Sequence, residues 1–387
     1  MTIGIDASRA NNVQKTGVEW YAFFLIEELK KIVPTDVQVI LYSEKPLEGD
    51  LGVMPANWST KILRWPPRRF WTQIRMSYEM FRHAPDVLFV PAHVFPLIHP
   101  KRTVMTVHDV AALRFPKSYN CFERWYSLWS AKYAVKHLWK VIVPSIFTKN
   151  ELKALINTDQ QNIVVVNHAF DQKFAEQKSH AEITETLKRY NIQKPFFFSI
   201  GRLEEKKNTV GTIHAFEMLK QSYHHDDLQL VLIGKPGYGG EKVEAVIHTS
   251  KFAKDIIHPG YVQQADIPAL FQGAEAFVFP TLYEGFGIPV LEAFASGVPV
   301  ITSKNTSTEE IVKDAAVLVH PQDTEDIVDA MQWLLTDSEA KQKLIEKAVR
   351  DYLKSSKPLE KYCGDYIAPE IWLPQTTAVM SLRKVDL

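Results

Sequence analysis

The sequence predicts an α/β protein built from two doubly wound, parallel-sheet domains. The chain has 387 residues, of which 46% are hydrophobic and 23% charged. This length exceeds one ordinary domain core. Short β-branched or aromatic runs alternate with longer segments of helical period, and the alternation occurs in both halves of the chain. Because strand-helix alternation is typical of parallel sheets covered by helices, we expect two globular α/β domains.

The runs place the strands in order along the chain. Those of the first domain are predicted at 3–6, 37–42, 87–90, 103–107, 141–143 and 163–166, and those of the second at 195–200, 228–233, 255–257, 276–279 and 298–301. A polar stretch separates the two series, so we assign residues 1–168 to the first domain and 169–371 to the second. Residues 372–387 are expected to form a final helix, opened by Trp372 and Pro374. Such sheets bind ligands at the carboxyl ends of their strands, and a cleft between the domains is the expected site.

Composition excludes several classes of protein. Lys plus Arg and Asp plus Glu both number 45, so no overall positive field exists to hold nucleic acid. Cys121 and Cys363 lie far apart and in no metal-ligand spacing, which favours a reducing cytoplasm. Residues 1–7 read as a strand rather than a signal peptide, and no apolar run reaches the roughly 18 residues that cross a bilayer.

The most informative segment, 277–294, reads as a strand, a glycine-punctuated turn and a helix. Gly285 and Gly287 allow backbone amides to approach a ligand, and a helix starting near Pro289 directs its free N–H groups to the same place. Glu284 and Glu292 flank this anion cradle, which suits a ligand that has both phosphates and hydroxyls, such as a nucleotide sugar. The alternative is that the glycines only form a turn and Glu292 only complements the helix dipole.

Basic side chains follow the first strand of the second domain. Arg202 and Lys207 are predicted at the cleft. The planar guanidinium of Arg202 and the compact ammonium of Lys207 suit a leaving diphosphate. The alternative is a solvated run of alternating charges at a helix entry. In the first domain, His108 and Asp109 end a strand at the cleft edge, and Gly17 begins a helix. A structural histidine and a plain turn glycine are the alternatives for His108 and Gly17.

The segment 61–83 concentrates basic and aromatic side chains. It holds Lys61, Arg64, Arg68, Arg69, Arg75 and Arg82, with Trp65, Phe70 and Trp71 between them, against the single acid Glu79. This composition suits an anionic membrane face or a lipid-diphosphate acceptor. The alternative is a helix that buries its aromatic side chains beneath snorkelling arginines.

These motifs together resemble the retaining GT-B glycosyltransferases, specifically glycosyltransferase family 4. Glu284 and Glu292 have the family's spacing of seven intervening residues, and residues 295–301 are also similar. The resemblance implies that Glu284 meets the transferred sugar and Glu292 the nucleotide ribose, with Gly285, Phe286 and Gly287 also at the donor. It implies that Arg202 and Lys207 bind the diphosphate, that His108 lies beside the sugar, and that Gly17 meets donor phosphate.

The chain departs from the family pattern at one loop. Where the family commonly has Pro-Glu-Val-x-Gly, residues 308–313 read Thr-Glu-Glu-Ile-Val-Lys, so the resemblance does not extend to this loop as a donor contact. Residues 235–240 are similar to mannosyltransferase-like members. The resemblance also implies that the helix 372–387 packs back on the first domain.

The sequence therefore predicts a retaining hexosyltransferase that uses a nucleotide sugar, with mannose from GDP-mannose as the favoured donor. The expected acceptor is a glycan or a lipid-linked glycan in the synthesis of a surface polysaccharide or glycoconjugate. No cofactor and no metal are expected, since no Asp-x-Asp pair occurs. The expected location is the cytoplasm, with peripheral contact to the anionic inner face of the membrane. A sugar-nucleotide epimerase and a silent nucleotide-sugar binding subunit remain alternatives.

Overall fold

The computed structural model describes residues 1–12, 15, 17–66, 69–157, 161–193, 195–260 and 262–350. Within these residues two parallel sheets are each covered by helices, which confirms the predicted fold class. The predicted final helix, 372–387, lies outside the described residues.

The first sheet has the strand order β3-β2-β1-β4-β5-β6-β7, and every pairing in it is parallel. Its strands are β1 (Thr2–Asp6), β2 (Gln38–Ser43), β3 (Trp58–Ile62), β4 (Val87–Val90), β5 (Thr103–Thr106), β6 (Lys140–Val143) and β7 (Ile163–Val165). The helices along this part of the chain are α1 (Gly17–Ile32), α2 (Ser77–His83), α3 (Ala111–Arg114), α4 (Cys121–His137) and α5 (Ile146–Ile156), and a π-helical turn, Trp71–Met76, leads into α2.

The second sheet has the order β10-β9-β8-β11-β12-β13 and is also parallel at every pairing. Its strands are β8 (Phe196–Ile200), β9 (Gln229–Ile233), β10 (Ile256–Ile257), β11 (Ala276–Phe279), β12 (Val300–Ser303) and β13 (Val317–Val319). The helices are α6 (His180–Arg189), α7 (Thr209–Tyr223), α8 (Gly240–Thr249), α9 (Ile267–Gly273), α10 (Ile288–Ala295), α11 (Ser307–Val312), α12 (Thr324–Thr336) and α13 (Ser338–Ala348).

The central strands are buried along their whole length because helices cover both faces of the sheets. All residues of β4, β5, β9 and β11 are buried, as expected for strands inside a doubly wound sheet. In each sheet the strand order reverses beside the first strand, between β1 and β4 and between β8 and β11. Such a switch point opens a crevice at the carboxyl ends of the strands, and this crevice positions the site.

Two edge strands were not predicted. β3 pairs only with β2, and most of its residues are exposed. Its sequence therefore has few of the apolar residues that indicate a strand. β13 has three residues at the edge of the second sheet.

The predicted strand 298–301 was placed two residues early, because Pro299 precedes β12, which runs from Val300 to Ser303.

The chain passes from one hydrophobic core to the other within a few residues. Val166 and Ala169 pack with the first core, whereas Phe170 and Phe174 belong to a core of the second sheet. The predicted boundary after residue 168 lies beside this change. Across the described ranges, no helix combines the length and hydropathy that a membrane span requires.

Candidate active site in the interdomain cleft

The turn between β11 and α10 is held by hydroxyl groups rather than left as an open loop. Ser307 Oγ donates to the carbonyls of Glu284 (2.7 Å) and Phe286 (3.1 Å). Thr281 Oγ1 donates to the carbonyl of Lys206 at 2.8 Å. Gly287 precedes α10 with φ of 105°, a left-handed conformation that favours glycine. The turn, which we call the donor loop (residues 280–287), is therefore a rigid platform at the start of a helix.

Lys207 and Glu284 form an ion pair at the centre of the cleft. The ammonium of Lys207 also lies 4.8 Å from the ring centroid of Phe279. Arg202 is exposed beside them, and Lys207 and Arg202 line the same small cleft at the end of β8. Burial raises the pKa of Tyr119, in the first domain, to about 12, and Arg202 is one of the nearby charges that act on it, so Arg202 lies close to the first domain. These two cations are placed where they can meet an anionic ligand.

Lys206 joins the two domains electrostatically. Burial would lower the pKa of Lys206, but the charge of Asp109 in the first domain, with Tyr119 and Glu204, raises it. In the same way, burial would raise the pKa of Asp109, but Lys206 holds it below the ordinary value. Lys206 therefore stays protonated and Asp109 ionised, and their attraction crosses the cleft.

His108 is neutral at physiological pH. Burial, followed by the nearby charge of His93, lowers the pKa of His108 to about 4. One ring nitrogen, Nε2, lies 3.1 Å from the carbonyl of Pro91. The rings of Tyr21 and His168 lie at centroid distances of 4.8 and 5.5 Å. A neutral imidazole held in this way can exchange hydrogen bonds with sugar hydroxyls without adding charge.

His168 connects this cluster to the donor loop. Its ring is buried and lies 5.0 Å from the ring of Phe286 by centroid. Burial, and then the repulsion that its protonated ring would meet from a protonated His108, lowers the pKa of His168 well below its ordinary value. Nδ1 of His168 and Nε2 of His93 are buried without a hydrogen-bond partner among the described residues. His93, His108 and His168 lie just after the carboxyl ends of β4, β5 and β7, on the same side of the first sheet.

The backbones of the two domains approach each other closely at Gly285. A Cβ atom built on Gly285 would lie 2.1 Å from the carbonyl oxygen of His108 and 2.9 Å from Cβ of Asp109. The sequence assigned this glycine to close approach by a ligand. The structure gives a second reason for it, since the backbone of the first domain already fills the space beside its Cα.

Glu292 lies on α10 and carries a strongly perturbed carboxyl group. Burial, and then the negative charge of Asp171, raises its pKa to about 8. The group is therefore mostly protonated at pH 7. It lies in the second turn of α10, which begins at Ile288, whereas a helix that starts near Pro289 would have placed it in the first turn.

Gly17 begins α1, and no protein atom lies within 4 Å of a Cβ built there. Its backbone is also outside the left-handed region, since Gly17 is absent from the residues of positive φ. Neither packing nor backbone conformation within the described residues requires glycine at this position. Glu19, in the same first turn of α1, is close enough to His108 to act on it electrostatically, so this end of α1 lies near the His108 ring.

Two family models match the chain, one to each domain. The model of glycosyltransferase family 4 matches residues 15–174, and that of the glycosyl transferases of group 1 matches residues 182–351. Together they span most of the sequence, in the order of the two sheets. The chain belongs to the GT-B glycosyltransferases of group 1.

Curated relatives of this glycosyltransferase include bacterial mannosyltransferases. It is 28% identical over 263 residues to O-antigen chain mannosyltransferase B of Escherichia coli, covering 68% of this chain and 66% of that protein. It is 24% identical over 320 residues to O-antigen chain mannosyltransferase RfbU of Salmonella typhimurium, covering 80% and 84%. The match to the serotype-specific mannosyltransferase WbdA of Escherichia coli is 26% identical and covers 62% of this chain. The chain spans just under two thirds of the first relative and 30% of the third.

Solved glycosyltransferase structures share the fold. WaaG, a glycosyltransferase involved in lipopolysaccharide biosynthesis, superposes with a TM-score of 0.74 at 16% identity, covering 96% of this chain and 99% of WaaG. Anabaena HepE in complex with UDP and glucose gives a TM-score of 0.72 at 15% identity, covering 95% and 98%. At these identities the likeness establishes the two-domain fold.

The structure brings several predicted site residues of the glycosyltransferase together. Glu284, Lys207 and Arg202 line one wall, and His108 meets that wall through Gly285. The ring of Phe286 contacts the ring of His168, which in turn lies beside His108. No contact joins Glu292 or Gly17 to these residues among the described interactions, and the catalytic and donor-binding roles of the whole set stay predictions.

Sequence reasoning missed Lys206, His93, His168 and Tyr283. Lys206 was treated as part of a solvated run, although its side chain is only 18% exposed. His93 and His168 follow strand ends, as His108 does, and this shared position was the available signal. No group of three or more His, Cys, Asp or Glu side chains that could hold a metal ion occurs in the described part of the chain.

Proposed function

We propose that this protein is a retaining hexosyltransferase that moves a hexose from a nucleotide diphosphate sugar to a glycan or lipid-linked acceptor. The observation that carries the proposal is the pairing of walls in the cleft. Arg202 and the Lys207–Glu284 ion pair together give the second domain a site of net positive charge, and His108 of the first domain lies against the adjacent Gly285. A diphosphate on one wall and a sugar ring against the other fit this arrangement.

The proposed chemistry follows from these charges. The bond between the anomeric carbon and the diphosphate oxygen breaks, and the acceptor oxygen bonds to that carbon on the same face. The acceptor proton passes to a phosphate oxygen of the leaving group. Arg202 and Lys207 stabilise the growing negative charge as fixed donors, so we propose that the reaction needs neither a cofactor nor a divalent metal.

Mannose from GDP-mannose is the proposed donor. Support comes from the relatives whose names describe O-antigen mannosyltransferases and from the similarity of residues 235–240 to mannosyltransferase-like members. A surface polysaccharide or lipid-linked glycan is the corresponding acceptor.

Turnover of GDP-, UDP- and dTDP-sugars with and without glycan acceptors tests this function. A transferase releases the nucleoside diphosphate only when an acceptor is present. An epimerase converts the nucleotide sugar without an acceptor, and a binding subunit is stabilised by the ligand against heat without any turnover. Acceptor-dependent release supports the proposal, and either of the other two patterns would refute it.

We further propose that the protein works at the anionic cytoplasmic face of a membrane. Exposed apolar side chains of the first domain form a surface that we call the aromatic face: Phe70, Ile74, Tyr78, Phe81, Phe122 and Trp125. Phe81 is 70% and Trp125 58% exposed, and the Phe70 and Phe122 rings lie 6.1 Å apart by centroid. Aromatic side chains on two neighbouring helical segments, with Arg69, Arg82 and Arg124 nearby in sequence, suit insertion between lipid headgroups.

The basic segment itself differs from the sequence expectation. Lys61, Arg75 and His83 all converge on the nearly buried carboxylate of Glu79, with Arg75 at 3.2 Å and His83 at 3.2 Å. Two of the expected membrane cations are therefore committed to an internal ion pair. Arg68 lies outside the described residues. In our proposal the exposed aromatic face carries more of the contact than this cluster.

A further inference from the structure

A second contact between the domains lies beside the cleft, at the start of α5. The carboxylate of Glu310, on α11 of the second domain, accepts hydrogen bonds from the backbone N–H groups of Ile146 and Phe147, both at 3.0 Å. These N–H groups belong to the first turn of α5 in the first domain. A carboxylate at this end of a helix is also favoured by the helix dipole.

The same turn of α5 holds the donor loop. Ser145 Oγ and Thr148 Oγ1 both donate to the carbonyl of Gly285, at 2.7 and 2.9 Å, and both bonds are buried. On the other side of the loop, the hydroxyl of Tyr283 accepts from the N–H of Val110 at 3.3 Å. The donor loop is thus bonded to the first domain on both sides of the Gly285–His108 contact.

Glu310 satisfies two N–H groups at the start of α5 and also links the two domains. Ser145 already caps that helix from within its own domain, because its hydroxyl accepts from the N–H of Thr148 at 3.0 Å. Glu310 is 164 residues from Ile146 in sequence and comes from the opposite domain. Its bonds therefore fix the distance between the domains.

We propose that Glu310, Ser145 and Thr148 are positioning residues. They hold the donor loop against residues 108–110, which follow β5 and include His108. Together they form an interdomain clamp, which sets how closely His108 approaches a sugar bound beside Glu284. The clamp requires both domains to be close, so it forms only in the closed arrangement. The effect on turnover rests on the proposed transferase function, whereas the effect on domain distance does not.

The distance between the domains tests the clamp directly. Spin labels at exposed Val53 and Tyr223, in a chain carrying Cys121→Ser and Cys363→Ser, report domain separation by electron paramagnetic resonance. Glu310→Ala should widen the distance distribution. Glu309→Ala is the matched control, because Glu309 accepts from Asn305 N–H within its own domain at 2.6 Å. An unchanged distribution in Glu310→Ala, or equal widening in both variants, would overturn the clamp.

Kinetics separate positioning from a structural role. Glu310→Ala should lower kcat about tenfold, since small displacements of reacting groups are costly, while the Kd for free nucleotide stays within about twofold. Ser145→Ala with Thr148→Val should do the same, and all three changes together should lose less than the product of the separate effects. A fully multiplicative loss, or an unchanged kcat, would contradict the clamp. If the wild-type protein transfers no sugar, the proposed function fails, and the distance measurement still decides the clamp.

Discussion

At the scale of single residues, Arg202 and Lys207 are the side chains on which the proposed chemistry depends most. Their charges meet the leaving diphosphate as its charge grows, so Arg202→Ala and Lys207→Ala should reduce kcat more than they weaken donor binding. We expect a loss of about 100-fold in kcat for each variant. Glu205→Ala, an exposed side chain in the same turn, is the control. Steady-state kinetics that leave kcat within about twofold would remove these residues from the mechanism.

Glu292 gives a prediction for pH. Its pKa of about 8 means that it holds a proton at pH 7. An ionised carboxylate offers both oxygens as acceptors to the ribose hydroxyls, whereas the acid keeps one oxygen as a donor, so we expect donor binding to favour the ionised form and to release that proton. Affinity for the nucleotide sugar should therefore rise roughly eightfold between pH 7 and pH 8.5. Titration calorimetry measures this change. In Glu292→Gln the slope should vanish, and a slope that persists there would exclude Glu292 from the ribose site.

Gly285 gives a steric prediction. Gly285→Ala places a methyl group 2.1 Å from the carbonyl oxygen of His108, so the domains must separate. We expect kcat to fall about 100-fold with the Kd for free nucleotide little changed, because the second domain keeps its own core. Domain separation measured by spin labels should increase as well. A closed, fully active Gly285→Ala protein would contradict the interdomain contact.

At the scale of elements, the aromatic face predicts membrane binding through α2 and α4. Phe81→Glu and Trp125→Glu each place a charge on an exposed position, so folding should be preserved, and each should weaken binding to anionic vesicles about tenfold or more. Val53→Glu, also highly exposed, is the control and should bind as wild type does. Sedimentation with vesicles gives the measurement. Equal losses in all three variants, or a wild type that ignores vesicles, would refute the aromatic face as a membrane contact.

The sequence predicted every central strand and two of the four edge strands, β7 and β10, and it missed the other two, β3 and β13. β4 and β11 were predicted with their observed ends because every residue in them is apolar or aromatic and buried. β3 was missed because it contains the polar run Ser-Thr-Lys and is exposed along most of its length. Single-sequence patterns register burial, and an edge strand has little of it.

At the scale of the whole molecule, contacts between domains were beyond sequence reasoning. Nothing near Glu310 indicates that it binds the start of α5, because its partners lie more than 160 residues away. Lys206 and Lys207 are neighbours in sequence, yet one faces Asp109 and the other Glu284. Both lysines lie in one short helical turn, Glu205–Lys207, and this turn directs their side chains to different partners. Residue types predicted the kind of site, while its assembly depends on how the two sheets meet.

The central claim is metal-free transfer with retention of configuration. The reaction of nucleotide sugar with acceptor can be followed in EDTA by nuclear magnetic resonance of the anomeric proton. This measurement gives both the rate without metal and the anomeric configuration of the product. We predict a product with the anomeric configuration of the donor, formed at nearly the rate seen with Mg²⁺, because Arg202 and Lys207 supply the fixed positive charge. An inverted product, or a loss of more than about tenfold in EDTA that Mg²⁺ or Mn²⁺ restores, would contradict the account.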